Sequence, residues 1–310
     1  MESKDLENLK KKFISSVEKH INDGFDDLST QRLAKDGLAL YNFLFKDSLS
    51  NPLDKEFVNR MFNCSDPSAP GRITIKSKSF IFDYQFLNNS KNSPNFLGNR
   101  FIISKQFQEI DHPESSVNGV PSFAYLAKAG LKNFKKIELE KLKSLNKKRI
   151  ISLIDDLNKK QDVFDSLEAI DQYDVMHLAC HIDRSEDEDN PLSWHLDFGK
   201  SRTVECLHLQ NLKNLRSKVI FLNACRGGHI SPSSRLSFSS YLCKKLISSL
   251  ISADFDLPDR FAAEFAAEFW SFVFSHNRRL DLALFYSSRV FFKEGNWAGL
   301  HYSIFGNEKL

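Results

Sequence analysis

Apolar residues recur at helical spacing over residues 5–22, where Leu6, Leu9, Phe13, Val17 and Ile21 form one stripe on a Lys-rich segment. That stripe predicts a helix packing on its own domain or docking a partner. A second helix is predicted over 29–47, from a Ser/Thr start into a run of leucines and phenylalanines. "SNPLD" then turns the chain. The period changes to two in "RITIKSKSFIFDYQFLNN" and "GNRFIISKQF", which alternate apolar and polar positions as strands do. "HPESSVNGVPS" reads as a loop, "KKIELE" as a short strand and "NKKRIISLIDDLNKKQ" as an amphipathic helix. Two compact apolar strands follow. "YDVMHLAC" leads into the acidic loop "IDRSEDEDN", and "KVIFLNAC" leads into "RGGHISPSSRLSFSS". "SYLCKKLISSLIS" is a further apolar element, "DLPDRFAAEFAAEFWSFVF" and "RLDLALFYSSRVFF" are helices, and "HYSIFGN" is a last short strand. Strands alternating with helices predict an α/β fold with a mostly parallel central sheet. No internal repeat is visible, and no linker is long enough to split the chain.

Composition narrows the function classes. The 310 residues suit one large domain or two small ones, and the 28 phenylalanines against 3 tryptophans and 3 methionines predict a Phe-rich core. A net charge of +3 is too small to imply nucleic acid as a direct partner. The first residues, "MESKDLENLKKKF", are charged where a secretory signal would be apolar, and no run reaches the roughly 20 apolar residues of a membrane span. A cytoplasmic protein with no membrane contact is expected. The five cysteines, at 64, 180, 206, 225 and 243, are odd in number and contain no CxxC pair, so reduced thiols are expected.

Two of the buried strands share one design. "YDVMHLACH" ends on His181 and "KVIFLNAC" ends on Cys225, 44 residues later, a separation that suits one crossover. In open α/β sheets, sites form just beyond the carboxyl ends of the strands, so each strand delivers one reactive residue to the same edge. Gly227 and Gly228 let the chain leave the second strand sharply. A free thiol with a pKa near 8.5 is only about 3% thiolate at neutral pH. A nearby imidazolium lowers that pKa, and the same ring can hand its proton to a leaving amine. Either residue alone reads as structural, a small core cysteine or a satisfied histidine. Together, at consecutive strand ends, they read as a catalytic pair. A zinc site is the rival chemistry in "HLACH". In a strand, however, His177 and His181 lie about 13 Å apart, too far to share one ion. His177 is expected to be a packed or hydrogen-bonded structural residue, and Cys180, on the opposite face, to be core. No metal and no cofactor are expected.

"NACRGG" resembles the nucleophile motif of caspases, and "YDVMHLACH" resembles the histidine strand of CHAT-domain peptidases, relatives of caspases and separases. "GLALYNFLF", "FLGNRFIISK" and "FDLPDRFAAEFAAEFW" are similar to other segments of that family, so the resemblance runs from about residue 37 to 306. It implies a caspase-like α/β/α sandwich over residues 25–310, with residues 1–24 as an N-terminal helical extension. It also implies a cysteine endopeptidase in which Cys225 is the nucleophile and His181 the general acid/base. The backbone N–H groups of Cys225 and Ile182 would form the oxyanion hole. Ile182 departs from the glycine usual after the family's histidine. A β-branched residue would be strained at positive φ, so either the turn differs here or the donor lies elsewhere. "KKL" at 244–246 departs from the small residues usual there.

"FDLPDR" resembles the separase stretch in which a carboxylate serves an arginine pocket. That implies cleavage after a basic residue, with Asp256 and Asp259 as substrate-binding residues. Helix capping by Asp256, Pro258 in the first turn and Asp259 at the positive end of the dipole explain the same carboxylates structurally. The partners implied are a protein substrate and a regulatory protein, in bacterial defence or regulated cell death. A catalytically silent caspase-like interaction domain is the alternative, and Ile182 is the residue that favours it.

Overall fold

The computed structural model describes residues 4–45, 56, 58, 70–77, 84–90, 94–107, 110, 112, 117–155, 172–183, 195–199, 203–205, 219–224, 242–243, 247–255, 257–275, 279–292 and 295–310. Its centre is a sheet in which eight strands lie side by side. These are β1 (Gly71–Ser77), β2 (Phe101–Phe107), β3 (Ser122–Ala127), β4 (Ser152–Ile154), β5 (Val175–Asp183), β8 (Val219–Ala224), β9 (Ser249–Ala253) and β10 (Tyr302–Gly306). Their order is β1-β2-β10-β9-β8-β5-β3-β4. Every pair along this path is parallel except β10 with β9. Two short strands, β6 (His195–Asp197) and β7 (Thr203–Glu205), extend from β5 as an antiparallel annex.

The central strands are mostly apolar because both faces are covered. All residues of β8 and β9 are buried. Side chains alternate between faces. Val219 and Phe221 therefore join the cluster under helices α4 (Asp259–Ser275) and α5 (Leu280–Phe292), while Ile220, Leu222 and Ala224 join the cluster on the opposite face. Helices on both faces make the α/β/α sandwich.

Two further helices, α1 (Lys4–Asn22) and α2 (Asp27–Leu44), form a hairpin closed by Gly24 and Phe25, both at positive φ. Asp26 caps α2 by accepting from Ser29 N at 2.7 Å. In α2, a Cβ at Gly37 would collide with the Phe86 carbonyl, so glycine is what lets this helix sit close. Phe13 and Val17 of α1 are buried in a cluster that also holds Phe86, Phe255 and Leu300.

Between this hairpin and the sheet lies His20, fully buried, its Nδ1 3.1 Å from Ser29 Oγ and its ring 5.1 Å from Phe25. Burial, then the neighbouring His301, press its pKa down from 6.5 to about 3, against the opposing pull of Asp26 and Asp23. The unfolded chain therefore takes up a proton below pH 6.5 that the folded chain refuses until about pH 3. Folding stability should fall across that window, by on the order of 3–5 kcal/mol from this group. Unfolding curves at pH 7, 5 and 4 check this. His20→Gln should flatten the acid loss, and parallel curves for the two proteins would show that His20 contributes nothing.

Three expected elements differ. Tyr84–Phe86, expected within a strand, forms a short 3-10 helix. The segment 135–140, expected as a strand, lies in a π-helical turn (Phe134–Leu139) continuous with α3 (Glu140–Lys147). "KKIELE" alternates, but Phe134, Glu138, Leu142 and Leu145 also fall on one helical face, and that face is buried. The helix expected over 146–161 is overruled in its first half. Arg149 turns at φ 57, and Ser152–Ile154 becomes β4, paired with β3. Residues 156–161 lie outside the described residues.

Candidate active site

Strands β5 and β8 run in parallel register from Val175↔Val219 to Cys180↔Ala224. His181 is the next residue of β5. Strand alternation puts it on the face of Val175, His177 and Ala179, the face covered by α4. Its ring is half-buried, and among the described residues its Nδ1 has no hydrogen-bond partner although no water reaches it. Cys225, the residue after Ala224, lies outside the described residues, as do Asp256, the 226–240 loop and residues 244–246.

Ile182 does not turn. The strand continues to Asp183 because β6 takes over as its neighbour, pairing His181↔Asp197, Ile182↔Leu196 and Asp183↔His195. The departure from glycine therefore carries no strain: Ile182 is extended, its side chain 1% exposed in an apolar cluster with Leu196 and Val204. Its N–H has a defined direction. In a strand, the N–H and C=O of one residue point to one edge, and successive residues point to opposite edges. Ala179 O accepts from Lys128 N at 2.7 Å on the β3 edge, and Ala129 N donates to Phe198 O at 3.1 Å, so β6 follows β3 along that edge. His181 shares the edge of Ala179. Ile182 presents its N–H to the other edge, the side of β8.

Four charged groups surround His181. Burial and the Lys128 ammonium hold its pKa below the ordinary histidine value, opposed by Asp259, Asp197 and Asp183 in that order. Lys128, at the end of β3, is paired with Asp197 Oδ2, and Gly199 N donates to Asp197 Oδ1 at 2.6 Å. Burial opposes ionisation of Asp197, but these two donors outweigh it and keep the carboxyl below its ordinary range. Asp259 is the first residue of α4 and is half-exposed. Pro258, expected in the first turn, stands one residue earlier, its carbonyl accepting from Ala262 N at 3.0 Å.

Asn223 holds this corner together. It is fully buried, donates from Nδ2 to Ala262 O at 3.1 Å and accepts the Tyr302 hydroxyl on Oδ1 at 2.7 Å. The first turn of α4 is thereby tied to the end of β8 and the start of β10. The signal was present in "FLNAC", where one amide interrupts an apolar run and must find partners if buried.

His177 is structural, as expected. Its Nδ1 accepts from Trp270 Nε1 at 2.8 Å, and its Nε2 lies 2.5 Å from Glu138 Oε1, all fully buried. Cys180 and Cys243 are also fully buried, and burial pushes both thiols far above the ordinary range, which leaves them unreactive. Among the described residues no group of three or more His, Cys, Asp or Glu side chains is placed to hold a metal ion. No described helix is long and apolar enough to cross a membrane.

A family model described as the CHAT domain matches residues 84–298. No curated protein matches the chain. Among solved structures, the chain is similar to separase in the Saccharomyces cerevisiae separase–securin complex. At 3.0 Å resolution the identity is 14% and the TM-score 0.44, covering 70% of this chain. At 2.6 Å the identity is 11% and the TM-score 0.44, covering 69%. The chain spans 14% of the length of either separase chain.

Proposed function

This chain belongs to the CHAT domain family, and on that premise we propose that it is a cysteine endopeptidase in which Cys225 is the nucleophile and His181 the general acid/base. The observation that carries the reading is the register of β5 and β8. Their last pair is Cys180↔Ala224, so the next residues of the two parallel strands are His181 and Cys225. If both strands keep their alternation for one more residue, these two point to one face. They then share the α4 face with Val219, Phe221 and Asn223.

The proposed reaction follows. His181 takes the thiol proton, and the sulfur attacks the carbonyl carbon of the scissile bond. The carbonyl electrons move onto oxygen, where the N–H groups of Ile182 and Cys225 hold the oxyanion. Collapse breaks the C–N bond, and the imidazolium gives its proton to the leaving amine. His181 then activates a water that cleaves the thioester, releasing the acid and restoring the thiol. This chemistry needs no cofactor. The substrate is a protein, bound as an extended strand along a sheet edge. The family resemblance supports control by a protein partner or by cleavage, in bacterial defence or regulated cell death. Residues 25–310 form the proposed peptidase domain, with 1–24 as a helical extension.

The test is a peptidyl electrophile directed at cysteine, followed by mass mapping. Labelling at Cys225 alone is expected, with Cys180 and Cys243 as buried internal controls. A folded protein left unlabelled at Cys225 would be the silent interaction domain instead.

The proposal extends to the residue before the scissile bond. Asp256 is flanked by Phe255 and Leu257, 3% and 2% exposed, so the segment that carries it is anchored in the core. A carboxylate there would make a bidentate, charge-assisted contact with an arginine guanidinium. Fluorogenic peptides ending in Arg should be cleaved fastest, Lys less well, Asp and Leu least. Asp256→Asn should lower Arg cleavage by about tenfold or more, the worth of a charge-assisted contact. A leading rate on Asp or Leu would refute a basic preference.

A further inference from the structure

Three carboxylates act on His181, and they are not equivalent. Asp197 is committed, with one oxygen on Lys128 and the other on the Gly199 N–H. Asp183 stands two residues further along the same strand and has interactions of its own. Asp259 alone brings a carboxylate from the opposite layer, on the first turn of α4. It has no hydrogen bond or ion pair among the described residues. The Asn223–Ala262 bond fixes that turn against the end of β8, on the face from which His181 projects. On that same face the His181 Nδ1 is enclosed and has no partner among the described residues. A committed base normally has its second nitrogen held by an acceptor, which fixes the tautomer.

We propose that Asp259 is the positioning residue of His181, its carboxylate accepting the Nδ1–H so that Nε2 is bare toward the Cys225 thiol. The proposal rests on the peptidase reading. The bond forms in the substrate complex, as catalytic hydrogen bonds often tighten only there. In the first step the thiol proton moves to Nε2, and the imidazolium then carries both N–H groups, with Nδ1–H directed to Asp259. In the second step Nε2 gives its proton to the leaving amine, and Asp259 stays ionised throughout. Lys128 works in the opposite sense on the same ring, and Asp197 shields part of that effect.

The test uses the full chain with Asp259→Asn and Asp259→Glu, an Arg-ending peptide, and NMR titration of the His181 ring. Asp259→Asn should lower kcat about 10²-fold, the scale of acid–base assistance, with KM within about twofold. The His181 titration midpoint and the pH–rate profile should both move to lower pH, because a stabilising negative charge is gone. Asp259→Glu should recover most of kcat. The proposal is overturned if kcat and midpoint are unchanged. It is also overturned if KM rises and the Arg preference is lost with the midpoint unmoved, which would make Asp259 a pocket residue. A lower melting temperature with an unmoved midpoint would leave only a helix-start role and likewise refute it. The ring titration reads the Asp259 charge even if Cys225 proves unreactive to electrophiles, so failure of the peptidase reading shows separately.

Discussion

Peptide turnover by Cys225→Ser is expected to fall by about 10³-fold or more, and adding His181→Ala to that variant should lower it little further. Residues that act as one unit lose their joint effect when either is removed, so their losses do not add. The expectation rests on the proposed pairing of His181 with Cys225, the residues that follow the last described pair of β5 and β8, Cys180↔Ala224. Serine keeps the size of the nucleophile and little of its acidity, since a hydroxyl needs a stronger base than a half-buried imidazole whose pKa is already lowered. The His181→Ala single variant should lose as much, because the thiol has no base to take its proton and the leaving amine has no acid. Single-turnover rates on the best Arg peptide, with circular dichroism to show that each variant is folded, decide the matter. Losses that multiply would mean two independent residues. Full activity in either single variant would remove both from the mechanism.

What the chain reveals unaided follows from how strongly each segment is patterned. The strands at 175–183 and 219–224 are apolar on both faces, as buried parallel strands must be, and His181 and Cys225 stand out because they end such runs. Helix α4 announces itself by its phenylalanine and alanine periodicity. The strand "SFAYLA" does not, because it is short and half of it is small residues that fit any buried element. Strands β6 and β7, three residues each, carry too few positions for a period to show, yet β6 decides how β5 ends. Of the two readings of Ile182, a different turn or a donor elsewhere, the first holds: there is no turn, because a partner strand keeps Ile182 extended. The link from Asp259 to His181 is equally hidden, since capping accounts for an aspartate at a helix start without reference to the neighbouring layer. Burial of Glu138 within an apparent alternation is of the same kind: the partners that make it tolerable, Tyr125 and His177, come from two strands.

Those partners lead to the second large effect, on stability. Trp270 Nε1–H donates to His177 Nδ1, and the His177 Nε2 lies 2.5 Å from Glu138 Oε1. The Tyr125 hydroxyl donates to Glu138 Oε2 at 3.3 Å. Glu138 therefore accepts from Tyr125 and lies against His177 at a fully buried position. The Tyr125 hydroxyl stays protonated, its pKa raised by burial and by the Glu138 charge. Glu138→Ala would leave the tyrosine and histidine donors buried without an acceptor and open a cavity in the π-helical turn. Removing one partner of such a buried network costs about 3–5 kcal/mol. Glu138→Gln keeps one acceptor oxygen but turns an amide donor toward the other chain, so its loss should be smaller but real. Urea unfolding of the two variants at pH 7 should give midpoints in the order wild type, Gln, Ala. A Glu138→Ala protein within about 1 kcal/mol of wild type would show that the network is incidental. The histidines of β5 thus divide between two tasks on one face of one strand. His177, with Nδ1 on Trp270 and Nε2 against Glu138, locks the strand to α4 and to the turn before α3. His181, four residues further on, has no partner on Nδ1 among the described residues, which leaves that nitrogen for the proposed Asp259 contact and Nε2 for the proton.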